Sequence, residues 1–142
     1  MGMLEPYRVL DLTDEQGIFC GKVLADLGAE VIQVEKPAGN PARSIPPFLK
    51  DIASPERGLF WLAFSAGKKS ITLNLETVAG KGIFNRLVRT SDFVIEAFAP
   101  GYLDAIGLDY VWLATLNPQL ILASITPFGQ TGPYKDYKAG DL

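Results

Sequence analysis

The side chains able to do chemistry in this sequence of 142 residues form an unbalanced set. Histidine is absent, which removes imidazole acid–base catalysis and histidine metal ligation from the chain's own repertoire. Cys20 is the one thiol, so no internal disulfide can form and a disulfide-stapled scaffold is excluded. Carboxylates, ammonium and guanidinium groups remain, together with two glycine-bearing turns. Thr13-Asp14-Glu15-Gln16-Gly17 follows one short apolar run, and Pro127-Phe128-Gly129-Gln130-Thr131-Gly132-Pro133 follows another. Closely spaced glycines between a strand and a helix would let backbone amides reach a pyrophosphate. The first turn has a single glycine, and Asp14 and Glu15 stand where a pyrophosphate would be repelled. Dinucleotide binding of the NAD or FAD kind is therefore disfavoured, although Glu35 ends the next apolar run, where an acid can hold a ribose. No Walker A spacing occurs, which argues equally against P-loop ATP chemistry.

Composition bounds the class of molecule. A hydrophobic fraction of 48% with 20% charged residues is enough to bury one core. The net charge is −3 and no basic stripe is present, so nucleic acid is not an expected partner. A small anionic ligand stays open, because a few local donors can outweigh a small global charge. The start MGMLEPYRVL lacks the basic and apolar regions of a signal peptide, and no apolar run is long enough to span a bilayer. A cytoplasmic setting is the simplest expectation.

The elements that must position these groups alternate. Residues 8–12 read as a strand. Residues 17–27 read as a helix with Cys20, Val23, Leu24 and Leu27 on one face, stopped by Gly28. Residues 29–34 read as a second buried strand, so the unit is a right-handed parallel crossover. Residues 36–58 hold five prolines, Pro37, Pro41, Pro46, Pro47 and Pro55, and are expected to cross the surface without regular ladders. A short aromatic helix is expected at 59–64, with Trp61 and Phe64 packing on the core. Strands then follow at 70–75, 93–98 and 120–126. Helices are expected at 77–88, with Val78, Ile83, Phe84, Leu87 and Val88 available to pack, and at 102–106 and 110–116. The predicted fold is α/β, an open, mostly parallel Rossmann-like sheet. The chain ends at Ala139-Gly140-Asp141-Leu142 with no finishing element, which reads as truncation.

Several separated segments resemble the family III (CaiB/BaiF-type) CoA-transferases. These are VLDLT with GIFCGKVLADLGAEVIQVEKPAGNPAR, then LFWLAFSAGKKSITLNLETVAGKGIFNRLV, then SDFVIEAFAPGYLDAIGLDYVWLATLNPQLILASITPFGQTGPYKDY. They occur in order and cover nearly the whole chain. The resemblance implies that residues 1–142 are the amino-terminal part of the large CoA-binding domain, an incomplete portion that lacks the small domain and the returning carboxy-terminal strands. It also implies acyl-CoA and a carboxylic acid as substrates, no permanently bound cofactor, and an interlinked homodimer when full length.

The same resemblance implies candidate residues for holding CoA. Gln16 and Gly17 fall on the loop that approaches the ligand, although that loop is one residue shorter than usual and Ile18 replaces a common proline. Lys36, Arg43, Lys68 and Lys69 are candidate partners of CoA phosphates, Leu73 a neighbour of the adenine, and Phe98 a wall of the channel. Four of these have an ordinary alternative: a tight turn for Gly17, solvated surface for Lys36 and Arg43, core packing for Phe98. Ala97 stands where the family pattern has Asn, and Ala105 where many members carry Arg.

No residue of this chain is assigned to catalysis or to a metal. The family's nucleophilic aspartate, which attacks the donor thioester and is carried through an anhydride and an enzyme–CoA thioester, is expected beyond Leu142. Asp141 matches a different family aspartate, and Asp11 reads as support for the fold. Gly140 replaces the histidine that a racemase branch places before that aspartate, which disfavours racemisation. The isolated chain is expected to be inactive. A non-catalytic binding or assembly module, or part of a fused CoA-transferase-lyase, is the alternative.

Overall fold

The computed structural model describes residues 2–140, so Asp141 lies outside the described residues. Five strands form one sheet: β1 (Arg8–Leu12), β2 (Glu30–Glu35), β3 (Lys69–Thr72), β4 (Phe93–Glu96) and β5 (Ile121–Ser124), in spatial order β3-β2-β1-β4-β5. All neighbours are parallel, with Val9 opposite Val31 on one side and opposite Phe93 on the other. Helices α1 (Ile18–Asp26), α2 (Leu59–Ser65), α3 (Val78–Val88), α4 (Tyr102–Ala105) and α5 (Tyr110–Leu116) fill the connections. Two 3₁₀ turns, Pro41–Ser44 and Leu49–Asp51, are the only helical structure in the proline-rich excursion among the described residues. Among the described residues, no helix is long and apolar enough to cross a membrane.

Alternation along the central strands places successive side chains on opposite faces. Leu10, Leu12, Ile32, Val34 and Val94 pack under α3 and α5 with Phe84, Val88 and Leu113. Val9, Val31 and Ile95 form a second layer that meets Cys20 and Leu24 of α1. A third cluster, Ile18, Ala42 and Trp61, pins the excursion to α1 and α2. Burial of an aromatic side chain of this size is worth about 3 kcal/mol, so Trp61 is a main anchor of the excursion.

Several local expectations need correction. Val23 is 38% exposed and Val78 is 90% exposed, so neither packs as the helical spacing suggested. Helix α1 instead buries Ile18 and Gly21, and α3 buries Gly80, Phe84 and Val88. Gly21 is required by close approach: a Cβ there would lie 1.9 Å from Asp11 Oδ2. Strand β3 stops at Thr72 because Asn74 forms a turn, its Oδ1 accepting from the Glu76 amide at 3.0 Å. Thr77 then caps α3, its Oγ1 accepting from the Gly80 amide at 3.1 Å. Gly28 adopts φ +103° and ends α1, where a side chain would be strained.

Candidate ligand cleft at the carboxyl edge

The strand order reverses direction at β1. Connections before β3 run to one side of β1 and later ones to the other, which opens a crevice at the carboxyl ends of the strands. A cleft of about 490 Å³ occupies this edge. Its floor is Leu12, Val34, Leu73 and Leu75; its sides come from the segment 35–41, the turn 74–76, Phe98 and Tyr102. Apart from Tyr102, which opens α4, each belongs to the last residues of a strand or to the loop just after it, which is how a sheet edge converts rigid elements into a site.

Lys36, Leu73 and Phe98, three of the sequence candidates, come together here. Lys36 is exposed, and its ammonium lies 5.9 Å from the ring centroids of both Phe98 and Tyr102. It makes no ion pair among the described residues. The two rings are 4.6 Å apart and inclined by 40°. The Tyr102 hydroxyl donates to Glu76 Oε1 at 3.0 Å. Burial, then the Glu76 carboxylate, pushes the Tyr102 phenol above its ordinary value.

Arg43 does not face the open cleft. Its guanidinium forks onto the buried Glu35 carboxylate, Nε to Oε2 at 2.7 Å and Nη2 to Oε1 at 2.8 Å. It lies 4.0 Å from the centre of the Trp61 ring and also donates to Glu56 at 2.8 Å. Glu35 accepts in addition from the Ser70 hydroxyl and from the Asn40 amide at 3.0 Å. Burial alone would raise the Glu35 carboxyl, but the Arg43, Ser70 and Asn40 donors outweigh it and hold the group below its ordinary value. The acid that a dinucleotide site would turn toward a ribose is here the clamp of the excursion. Asn40 completes it by donating from Nδ2 to the Thr13 carbonyl at 2.8 Å.

Lys68 is also turned inward. Its Nζ donates to Asp11 Oδ2 at 2.7 Å, to the Ile18 carbonyl at 2.9 Å and to Gln33 Oε1 at 3.1 Å, with both ionic side chains at or below 1% exposure. Burial holds the ammonium below its ordinary value, and Asp11 offsets part of that. Asp11 is further engaged by the Thr13 amide and hydroxyl at 2.9 and 2.6 Å, which suits a fold-supporting role. Lys69 opens β3 at the edge away from the cleft and pairs with Glu30 at 2.5 Å.

Gln16 lines a second cleft of about 580 Å³, between the β1–α1 loop and the chain after β5. Gly17 sits behind it. A Cβ at Gly17 would lie 2.7 Å from Thr13 Cγ2 and 3.2 Å from Ile125 Cδ1, so packing accounts for the glycine. The glycine-rich loop is tied back to the sheet. Gln130 Nε2 donates to the buried Glu96 Oε1 at 3.2 Å, and Gln130 Oε1 accepts from the Gly101 amide at 3.2 Å. Glu96 Oε2 meanwhile accepts from the Phe98 amide at 2.7 Å. Burial, then Asp11, raises the Cys20 thiol, so it is not an activated nucleophile. Among the described residues, no three His, Cys, Asp or Glu side chains are grouped to hold a metal ion.

Sequence reasoning missed Tyr102, Glu76 and Asn40 in this cleft. Tyr102 lies four residues after Phe98, but the intervening left-handed Gly101 (φ +79°) turns the chain, so neither strand nor helix periodicity signals that the rings meet.

Comparisons with known proteins agree on one group. A family model described as CoA-transferase family III matches residues 4–142. The chain is 41% identical over 136 residues to succinyl-CoA:(R)-benzylsuccinate CoA-transferase subunit BbsE of Thauera aromatica, covering 96% of itself and 33% of that protein. It is 45% identical over 139 residues to succinyl-CoA–D-citramalate CoA-transferase of Chloroflexus aurantiacus, with coverage of 96% and 33%. A solved CAIB/BAIF family protein from Brucella suis superposes with a TM-score of 0.87 at 42% identity, over 96% of this chain and 37% of that one. The chain thus spans about a third of the length of these relatives.

Proposed function

Because this chain belongs to CoA-transferase family III, we propose that it supplies the coenzyme-A-binding part of an enzyme that moves CoA between an acyl-CoA and a carboxylic acid. The observation that carries this reading is the carboxyl-edge cleft, where the ammonium of Lys36, without an ion-pair partner among the described residues, stands beside an apolar floor and an aromatic wall. CoA has matching parts: phosphates for a cation, a planar base for a ring, and a long arm that can run along apolar surface. Both named relatives use succinyl-CoA as donor and differ in the acceptor. What they share, transfer of CoA to a carboxylic acid, is the activity assigned here to the whole protein.

Within this assignment Lys36 pairs with a CoA phosphate, and Leu73 and Phe98 contact the nucleotide end. Gln16, which lines the second cleft, and its neighbour Gly17 lie on the loop that approaches the nucleotide end of CoA. Arg43, Lys68 and Lys69, matched to phosphate contacts by the family pattern, act here through carboxylates. Arg43 holds the segment carrying Lys36, Lys68 fixes the β1–α1 loop, and Lys69 steadies β3 against β2. No group of this chain is given the role of nucleophile, so the isolated chain binds without turning over. The whole protein is assigned an interlinked homodimeric state and a cytoplasmic location.

Calorimetric titration of CoA into the 142-residue chain, with NAD as control, tests the reading. Saturable CoA binding with no NAD binding is expected. A chain shown to be folded that binds neither, or binds NAD as well as CoA, overturns it.

A further inference from the structure

We propose that Tyr102, held in place by Glu76, is the surface on which the planar base of the CoA nucleotide stacks, and that this ring sets the preference of the cleft for a nucleotide over other anions. The proposal rests on the CoA reading above and names a residue that neither the chain's motifs nor its charge pattern pointed to.

The ring is fixed at both ends. Its backbone opens α4 directly after Gly101, and its hydroxyl is bound to Glu76 across the mouth of the cleft, 26 residues away in sequence. Glu76 is positioned in turn by the Asn74 turn. Two loops, one after β3 and one after β4, are thereby joined over a shared floor. A flat ligand that stacks on a ring already held loses less conformational freedom on binding than one that must order it first. Phe98 packs beside it, with ring centroids 4.6 Å apart and planes inclined by 40°.

Charge then orients the ligand. Glu76 borders the cleft beside Tyr102, so a phosphate is repelled there and favoured at Lys36. At 5.9 Å from both ring centroids, the Lys36 ammonium is at the outer limit of cation–π contact. It is weakly held there and free to turn toward an anion. A base at Tyr102 with its phosphate at Lys36 satisfies both ends at once; a bare anion or a flexible pantetheine arm satisfies one.

The test is calorimetry on the 142-residue chain with two probes, adenosine 3′,5′-bisphosphate and pantetheine. Tyr102→Ala is expected to weaken the bisphosphate about tenfold, the range found when a base loses an aromatic partner, and to leave pantetheine unchanged. Tyr102→Phe keeps the ring and is expected to retain most of the affinity. Tyr102→Leu keeps an apolar side chain without an aromatic face, and should match the alanine variant while keeping the fold, which circular dichroism checks. Unchanged bisphosphate binding in a folded Tyr102→Leu chain overturns the proposal, as does an equal loss for both probes. If the unmodified folded chain binds neither CoA nor the bisphosphate, the CoA reading itself fails. Normal CoA binding with insensitivity to Tyr102 refutes this inference alone.

Discussion

Replacing Arg43 by Met tests whether this residue is a clamp, as its surroundings indicate. The Glu35 side chain is 3% exposed and Arg43 is 15% exposed. Removing the guanidinium leaves a buried carboxylate with only the Ser70 hydroxyl and the Asn40 amide as donors. Breaking one side of a buried pair costs about 3–5 kcal/mol. The lower end applies, because two donors remain and water reaches the outer edge of the guanidinium. Loss of the contact with Trp61 adds about 0.5–1 kcal/mol. A total near 3–4 kcal/mol corresponds to a fall in Tm of roughly 10–15 °C for a domain of this size. Urea unfolding followed by circular dichroism, on Arg43→Met, Glu35→Gln and the double variant, measures it. A coupling of about 2 kcal/mol between the two positions is expected. The pH dependence has a definite sign. Glu35 has a depressed carboxyl pKa in the folded chain, so its contribution is complete above its unfolded value, near 4.5, and is lost as pH falls through the folded value. In Arg43→Met the same carboxyl is buried without its cation and takes up a proton more readily, so the gap between the variant and the unmodified chain narrows on acidification. An Arg43→Met chain as stable as the original at pH 7, or a gap that widens in acid, would refute the clamp.

Two further outcomes follow from the geometry. Lys36→Met should weaken CoA about threefold to tenfold and flatten the dependence of its affinity on salt, because an exposed charge-assisted contact is lost; titration at two ionic strengths reads both effects, and an unchanged salt dependence would remove Lys36 from the phosphate. Gly21→Ala should destabilise the chain by about 2–3 kcal/mol, since its Cβ would lie 1.9 Å from Asp11 Oδ2 and 2.9 Å from Lys68 Nζ; a chemical denaturation midpoint equal to that of the original would show that α1 can lift off the ion pair at no cost.

Much of the fold was legible because apolar runs and their spacing are local. The limits of β1 and α5 match the sequence reading, and the other elements shift by a residue or a few at their ends. The larger misreadings have local causes too. Val78 has helical spacing but sits on the first turn of α3, turned to solvent. β3 was read too long because Leu73 and Leu75 keep strand-like alternation after Asn74 has bent the backbone. The cleft was legible only in part. Lys36, Leu73 and Phe98 lie just after three different strands, so knowing the strands is nearly enough to bring them together. The partner chosen by each remaining cation is a tertiary matter. Lys68 meets an aspartate 57 positions away and Arg43 a glutamate 8 positions away, and neither pairing leaves a periodic trace.

The central place of β1 has a consequence for how the chain reaches its native state. Val9 pairs with Val31, 22 residues on, and with Phe93, 84 residues on. Closing the longer loop costs about 1.2 kcal/mol more chain entropy than closing the shorter one. The β1–α1–β2 unit can therefore collapse first, while one long edge of its oldest strand stays open. During synthesis that edge waits until β4 has emerged, some sixty residues later on the scale of the registers just given. The time spent in that half-paired state, more than the final stability of the sheet, sets the window in which a nascent chain is open to mispairing.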